Sequence, residues 1–269
     1  MNQIQGLKIT LLQQELFWED IPANLAKFSA LISSRPNTGD IIVLPEMFST
    51  GFSMNAETYS QTMEGSAIEA MKLWSQNTNA AICGSLMIKD QDKFFNRFVW
   101  VEPNGKILTY DKSHLFRMGE EQNHYSKGTQ RLLISYKGWK IAPFICYDLR
   151  FPVWLRRTLT YDYDLLLIVA NWPKKRMEHW KALARARAIE NQCYLVAVNR
   201  VGEDVNKMYH SGDSQIISPL GEVLFTKADE ECVFQYDLNL EEITGYRNNF
   251  PAGLDADSFE FMNECNPSH

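Results

Sequence analysis

The stretch Leu165-Leu166-Leu167-Ile168-Val169-Ala170 is six apolar residues without a polar break. A strand sends alternate side chains to opposite faces, so an unbroken run of this kind needs cover on both. That excludes a sheet open to water on one side and asks for an interior strand. Further short segments rich in Ile, Val, Leu and aromatics read as strands over 9–13, 41–44, 80–87, 97–101, 107–110, 140–145, 194–198, 214–217 and 232–236. Glu102-Pro103-Asn104-Gly105 and Ser218-Pro219-Leu220-Gly221 have the composition of hairpin turns. Helices are expected over 21–33, 67–76, 152–159, 176–191 and 240–246. In the fourth, Trp180, Leu183, Ala184 and Ala188 recur at helical spacing in an Ala-rich context. Strand–helix alternation early and in the middle, with hairpins between, predicts an α/β fold of two mixed β-sheets flanked by helices, layered αββα. No repeat, low-complexity tract or Pro/Gly-rich linker divides the 269 residues, so residues 1–269 read as a single domain.

Polar residues stand directly after the apolar runs. Glu46 follows 41–44, Lys112 follows 107–110 and Cys146 follows 140–145. Asn171 and Trp172 follow 165–170, and Asn199 and Arg200 follow 194–198. Functional side chains of α/β sheets gather at the carboxyl ends of strands. Leu44-Pro45-Glu46-Met47-Phe48, Tyr110-Asp111-Lys112-Ser113-His114 and Ile145-Cys146-Tyr147-Asp148-Leu149-Arg150-Phe151 therefore supply a carboxylate, an ammonium and a thiol. These are a general base, an electrophilic stabiliser and a nucleophile, enough to break an unactivated C–N bond without a metal. A thiol at a strand-to-helix turn has free backbone N–H groups beside it. Lys112 is expected to favour the thiolate and to hold negative charge on a substrate oxygen. Cys83, Cys193, Cys232 and Cys265 read as passive apolar residues.

Other combinations carry less. His114, Glu120, Glu121 and His124 form a local cluster without the spacing of a His-Glu-x-x-His metal site. A Cys–His dyad would need His114, His124, His179 or His210, and spacing selects none. Arg185, Arg187 and Glu190 read as a salt-bridged or surface-facing set on the long helix. A formal net charge of −6 argues against a nucleic-acid surface. The five scattered cysteines contain no CxxC pair, Met1 to Lys8 lacks a signal-peptide core, and no apolar run reaches the ~20 residues of a membrane span. A reduced, cytoplasmic protein with no membrane partner is the expectation.

The three motifs, in this order and context, resemble the nitrilase or carbon–nitrogen hydrolase superfamily. Gly84-Ser85, Asn171-Trp172-Pro173 and the run from Arg185 to Gln192 look like family features as well. The resemblance implies an αββα sandwich, a Glu46–Lys112–Cys146 triad, no metal or organic cofactor, and a homodimer. It also implies a second glutamate between the lysine and the cysteine. Counted back from Gly128 this is Glu121, with Glu120 adjacent. The backbone N–H of Tyr147 becomes an oxyanion donor by the same likeness. Cys146-Tyr147-Asp148 looks like the amidase side of the superfamily rather than the Cys-Trp-Glu of nitrilases. His114-Leu115-Phe116-Arg117-Met118, Asn171-Trp172-Pro173 and the tail from Phe250 to Asp257 look like bacterial ω-amidases, which hydrolyse the terminal amide of 2-oxoglutaramate or 2-oxosuccinamate. Such a small-molecule substrate carries a carboxylate that wants an arginine. Arg150 and Arg117 are the candidates, with Phe48, Phe116, Tyr147 and Trp172 as pocket walls. The alternatives are a nitrilase, an N-carbamoyl amino acid amidohydrolase, a metal-dependent amidohydrolase and, more distantly, a non-catalytic interaction protein on the same fold.

Overall fold

The structure, a computed structural model, describes residues 6–35 and 37–261. The N-terminal reading over residues 1–5 and the reading of Cys265 lie outside them. Strands β1 (Leu7–Gln13), β2 (Ile41–Val43), β3 (Ala81–Asp90), β4 (Lys93–Val101) and β5 (Ile107–Asp111) form one sheet with β13 (Cys232–Leu238) at its edge, in the order β13-β1-β2-β3-β4-β5. The second sheet is built from β6 (Ile134–Tyr136), β7 (Trp139–Ile145), β8 (Leu165–Ala170), β9 (Tyr194–Asn199), β10 (Val201–Glu203) and β11 (Tyr209–Ile217), ordered β10-β11-β9-β8-β7-β6. Strand β12 (Val223–Ala228) also pairs with β11. Both sheets are mixed: β1-β2-β3 and β7-β8-β9 are parallel, and the hairpin neighbours are antiparallel.

The helices are α1 (Ile21–Ser33), α2 (Ala56–Tyr59), α3 (Ser66–Thr78), α4 (Glu121–His124), α5 (Pro152–Leu155), α6 (Met177–Asn191) and α7 (Leu240–Asn249). Strand alternation sorts their packing. Ile42 and Ile82 join Phe28 and Ile32 of α1 and Ile68, Met71 and Trp74 of α3 in one apolar cluster. Their neighbours Ile41, Val43, Ala81 and Cys83 belong to the cluster shared with β7, β8 and β9. Every residue of β8 is fully buried between its parallel neighbours, and Trp180, Ala184 and Ala188 of α6 lie in the same cluster. The expected αββα layering follows from these two faces. Local signals agree with it: the Asp20 side chain caps α1 by accepting from Ala23 N–H at 3.0 Å, and Pro22 sits in the first turn.

Several elements differ from expectation. The helix expected over 152–159 stops at Leu155, where Arg156 turns extended. Strand β6 carries no clear sequence signal because its hairpin turn places Lys137 at φ 47° and Gly138 at φ 83°, a two-residue turn with a lysine where Asn or Asp would announce it. Strand β12 is a largely exposed, partly polar edge, without the apolar run that marks an interior strand.

Lys112 stands immediately past the end of β5, where two segments of main chain press together. Gly128 N–H donates to the Lys112 carbonyl at 2.9 Å, and a Cβ on Gly128 would lie 2.0 Å from the Asp111 carbonyl oxygen. Backbone thus meets backbone beside Lys112, and no side chain can yield. Gly128→Ala should cost about 1–3 kcal/mol and lower the melting temperature by several degrees. An unchanged melting temperature with unchanged activity would show that the Lys112 segment moves freely.

Candidate active site

Glu46 leaves the sheet just past β2, after Leu44 and Pro45. Glu46, Lys112 and Glu121 are all at most 1 % exposed, so their charges have no water to rely on. Lys112 Nζ donates to Glu46 Oε1 at 2.8 Å and to Glu121 Oε1 at 3.0 Å. Asn96 Nδ2 donates to the same two oxygens, at 2.7 and 3.1 Å. Glu46 Oε2 accepts the backbone N–H of Asn171 at 2.7 Å, and Glu121 Oε2 accepts that of Phe116 at 2.6 Å. Behind Asn96, the Ser85 hydroxyl donates to Asn96 Oδ1 at 2.8 Å and accepts Met47 N–H at 2.9 Å. The charged groups of this buried cluster therefore find their partners on β4, on α4 and in the segments that follow β2, β5 and β8.

The charges shape one another. Burial alone would lower the Lys112 pKa, but the carboxylates of Glu121 and Glu46 outweigh it and hold the ammonium charged. Glu121 is pushed up by burial, pulled down by Lys112 and pushed up again by Glu46; the balance is upward. The ring of Phe52 lies 5.1 Å from the same ammonium.

Cys146 begins a 3₁₀ turn, Cys146–Arg150, directly after β7, with φ at +42°. A non-glycine residue in this region needs surrounding contacts to hold it. Asp148 supplies them. Its Oδ2 accepts Tyr110 OH at 2.8 Å and Ile145 N–H at 3.1 Å. Its Oδ1 accepts His114 N–H at 3.0 Å and meets the His114 ring at 2.8 Å. Asp148 thus ties the cysteine turn to the segment that carries Lys112. From the other side, buried Arg187 donates to the Leu149 carbonyl from Nη2 at 2.9 Å and from Nε at 3.1 Å. Arg187 therefore serves the cysteine turn while also pairing with Glu190 at 3.2 Å, whereas Arg185 is exposed as expected.

Cys146 keeps part of its surface open to a cavity but is otherwise enclosed by protein. Enclosure pushes the thiol well above its ordinary pKa and the Glu46 carboxylate adds to the rise, while Lys112 and the Asn171 backbone N–H oppose it. Lys112 thus favours the thiolate as expected, but enclosure first and the Glu46 carboxylate second outweigh it, so the net shift is upward.

The cavity measures about 510 Å³ and is lined by Glu46, Lys112, Cys146 and Asn171, with Phe52, Phe116, Tyr147 and Trp172 among its apolar walls. Arg150 and Arg176 also line it. The structure brings together Glu46, Lys112, Cys146, Glu121, Tyr147, Arg150, Phe116 and Trp172. It does not bring in Arg117, which is exposed on the 3₁₀ turn Arg117–Gly119 and absent from the cavity wall. Phe48 packs in the core instead, 5.6 Å from Phe28. Of the adjacent glutamates, Glu121 turns inward to Lys112, while Glu120 is exposed at φ 58°. His114 is held by Asp148 and His179 by Arg150, and His124 is exposed. Among the described histidines only His210 lines the cavity; burial and the nearby Arg200 charge lower its pKa to about 4, so it is neutral at pH 7. Asn96, Asp148, Phe52 and Arg176 were not identified from sequence. Asn96 had one signal: an amide in a strand of aromatic and apolar neighbours, Phe94, Phe95 and Phe98.

Comparison with known proteins agrees with this geometry. The family described as Carbon-nitrogen hydrolase matches residues 8–248. The chain is 47% identical over 255 residues to Omega-amidase YafV of Escherichia coli K12, covering 94% of this chain and 98% of that protein. It is 32% identical to 2-oxoglutaramate amidase of Bacillus subtilis strain 168, over 90% and 95% of the two chains. Among solved structures, XC1258 of Xanthomonas campestris, a CN-hydrolase superfamily protein with an arsenic adduct in its active site, superposes with a TM-score of 0.94 at 40% identity, over 96% of this chain and 99% of that one. With two such sheets, a buried Glu–Lys–Glu cluster beside a cysteine, and a match along most of its length, this chain belongs to the carbon–nitrogen hydrolase family.

Proposed function

We propose that this protein is an ω-amidase, hydrolysing the terminal amide of small ω-amido 2-oxo acids of the 2-oxoglutaramate or 2-oxosuccinamate type to a carboxylate and ammonia. Similarity to relatives bearing those names supports the substrate class. One observation carries the chemistry: Lys112 is held between two buried carboxylates on the wall of the cavity that Cys146 opens into.

In this reading Cys146 Sγ attacks the amide carbon while its proton passes to Glu46. The carbonyl π electrons move onto oxygen, where Lys112 Nζ and the Tyr147 backbone N–H meet the charge. Each such donor is typically worth ~10²–10³ in rate. Glu46 returns the proton to the nitrogen, the C–N bond breaks and ammonia leaves, giving a thioester. Water then attacks the thioester carbon with Glu46 as base, and the thiol departs with a proton. A raised thiol pKa suits this sequence, since proton transfer accompanies attack and does not precede it. Glu121 holds Lys112 as a second acceptor beside Glu46. The new carboxylate product would form beside two fixed acids, which favours its release. The reading includes a single hydrolase domain over residues 1–269, a homodimer by family resemblance and a cytoplasmic location. No helix of the described residues is long and apolar enough to cross a membrane.

Cys146→Ala should reduce ammonia release from 2-oxoglutaramate by about 10⁴-fold or more; retained turnover would remove the assigned nucleophile. A panel of keto-acid amides, nitriles and N-carbamoyl amino acids, read by product analysis, separates the proposed activity from its neighbours.

The raised thiol pKa carries its own consequence. At pH 7 the thiolate fraction lies below that of an ordinary cysteine, so alkylation of Cys146 by iodoacetamide should climb steadily from pH 7 to 10. Glu46→Gln removes one of the groups that push the thiol up, so it should speed alkylation near neutrality while nearly abolishing amide turnover. An alkylation profile already flat at pH 7 in the unaltered protein would contradict the proton route through Glu46.

A further inference from the structure

The cavity carries more positive charge than this chemistry uses. Lys112 is committed to its two carboxylates, yet Arg150 and Arg176 also line the wall. Arg176 closes the 3₁₀ turn Lys174–Arg176. Its N–H donates to the Pro173 carbonyl at 3.0 Å, and its carbonyl accepts the Trp172 indole N–H at 2.8 Å. Trp172 is itself buried, with its backbone N–H on Asn199 Oδ1 at 2.7 Å. The Arg176 side chain therefore leaves a fixed turn.

Its guanidinium lies 5.1 Å from the centre of the Phe116 ring and, among the described residues, makes no side-chain hydrogen bond or ion pair. A half-buried guanidinium with five N–H donors and no protein acceptor is an incomplete site. Arg150 is better supplied, 3.1 Å from His179 Nδ1 and 4.8 Å from the Trp172 ring, but it also lacks a carboxylate partner. Burial lowers the Arg176 pKa, the Cys146 sulfur opposes this, and the Arg150 charge lowers it further, so all three lie within electrostatic reach. Among the described residues no ion pair joins either arginine to an acid at the cavity. Glu19 accepts from the Ser53 hydroxyl, and Asp204 accepts the N–H groups of Asn206 and Met208.

We propose that Arg176, with Arg150 beside it, anchors the carboxylate at the far end of the substrate and so restricts the site to amides that carry an anionic group. This rests on the amidase reading above and adds the residue that selects the substrate class. A carboxylate presents two oxygens to a guanidinium fork, supplies the missing acceptors and relieves the repulsion between the two arginines. Of the two arginines considered from sequence, Arg150 shares this role, and exposed Arg117 has no part in it.

The test compares unaltered protein, Arg176→Ala and Arg176→Lys on two amides, 2-oxoglutaramate and uncharged valeramide. Arg176→Ala should raise KM for 2-oxoglutaramate roughly 30-fold or more with little change in kcat, and should change kcat/KM for valeramide far less. Arg176→Lys should recover part of the loss. Equal loss on both amides, or an unchanged KM for 2-oxoglutaramate, would overturn the assignment. A second measurement needs no turnover, so it stands even if the amidase reading fails: protection of Cys146 from iodoacetamide by glutarate. Arg176→Ala should need at least tenfold more glutarate for half-protection, each protein being compared with its own unprotected rate, while an unchanged melting temperature reports an intact fold. Equal protection in both proteins would sink the anchor. If the Ala variant does not fold, the Lys variant carries both comparisons with smaller expected shifts in the same direction.

Discussion

One ammonium, on Lys112, holds two carboxylates in a place where water does not reach, and much of the surrounding architecture exists to make that possible. Burying an ion pair is close to neutral at best, because desolvation offsets the attraction. Here three charges are buried, two of them alike. The cluster is tolerable because Asn96 adds a donor to each carboxylate and because the backbone N–H groups of Asn171 and Phe116 take the remaining oxygens. Those donors come from β4, from the end of β8 and from the loop after β5. The charge cluster therefore joins both sheets, and loss of the ammonium alone would leave two carboxylates facing each other.

The cysteine turn is held with equal completeness. Cys146 at φ 42° and Met47 at φ 43° both occupy backbone conformations that side chains disfavour, and each sits beside the cluster. Met47 is kept there by Ser85, and Cys146 by the grip of Asp148 and Arg187 on its turn. Under the proposed mechanism this is useful strain: the sulfur stays pinned at the cavity wall, and no rotation is required when substrate arrives. The aromatic neighbours fit the same picture. Tyr147 packs edge-on against Phe116 and Phe151, and Phe116 in turn underlies Arg176, so the nucleophile's turn and the cationic wall share a support.

Much of the layering could be read from the chain. An unbroken apolar β8 demanded cover on both faces, and the alternation in β1 to β3 divided residues between a helix layer and the sheet–sheet interface. The elements that escaped were those whose signals are not apolar. Strand β12 is an exposed edge, β6 hides behind an unusual turn residue, and α5 ends after one turn although its composition would allow more. In the site, acid, cation and thiol were legible because each followed a strand. The pairing of Arg187 with Glu190 was legible, but its burial against the cysteine turn was not, since a helical wheel shows spacing but not which face meets a neighbouring turn.

The order of strands and the residue types at their ends, all local properties of the chain, determined a two-sheet sandwich with a carboxylate, a lysine and a cysteine at strand termini. Which glutamate turns inward, whether the thiol rests protonated, and which arginine faces the cavity were decided only by the tertiary structure. Glu120 and Glu121 differ by one backbone conformation, Arg117 and Arg176 both stand on 3₁₀ turns beside the cavity but only Arg176 lines it, and the thiol's proton affinity depends on charges brought from distant segments. Burial and charge are properties of the assembled surroundings, so no reading of neighbours along the chain supplies them.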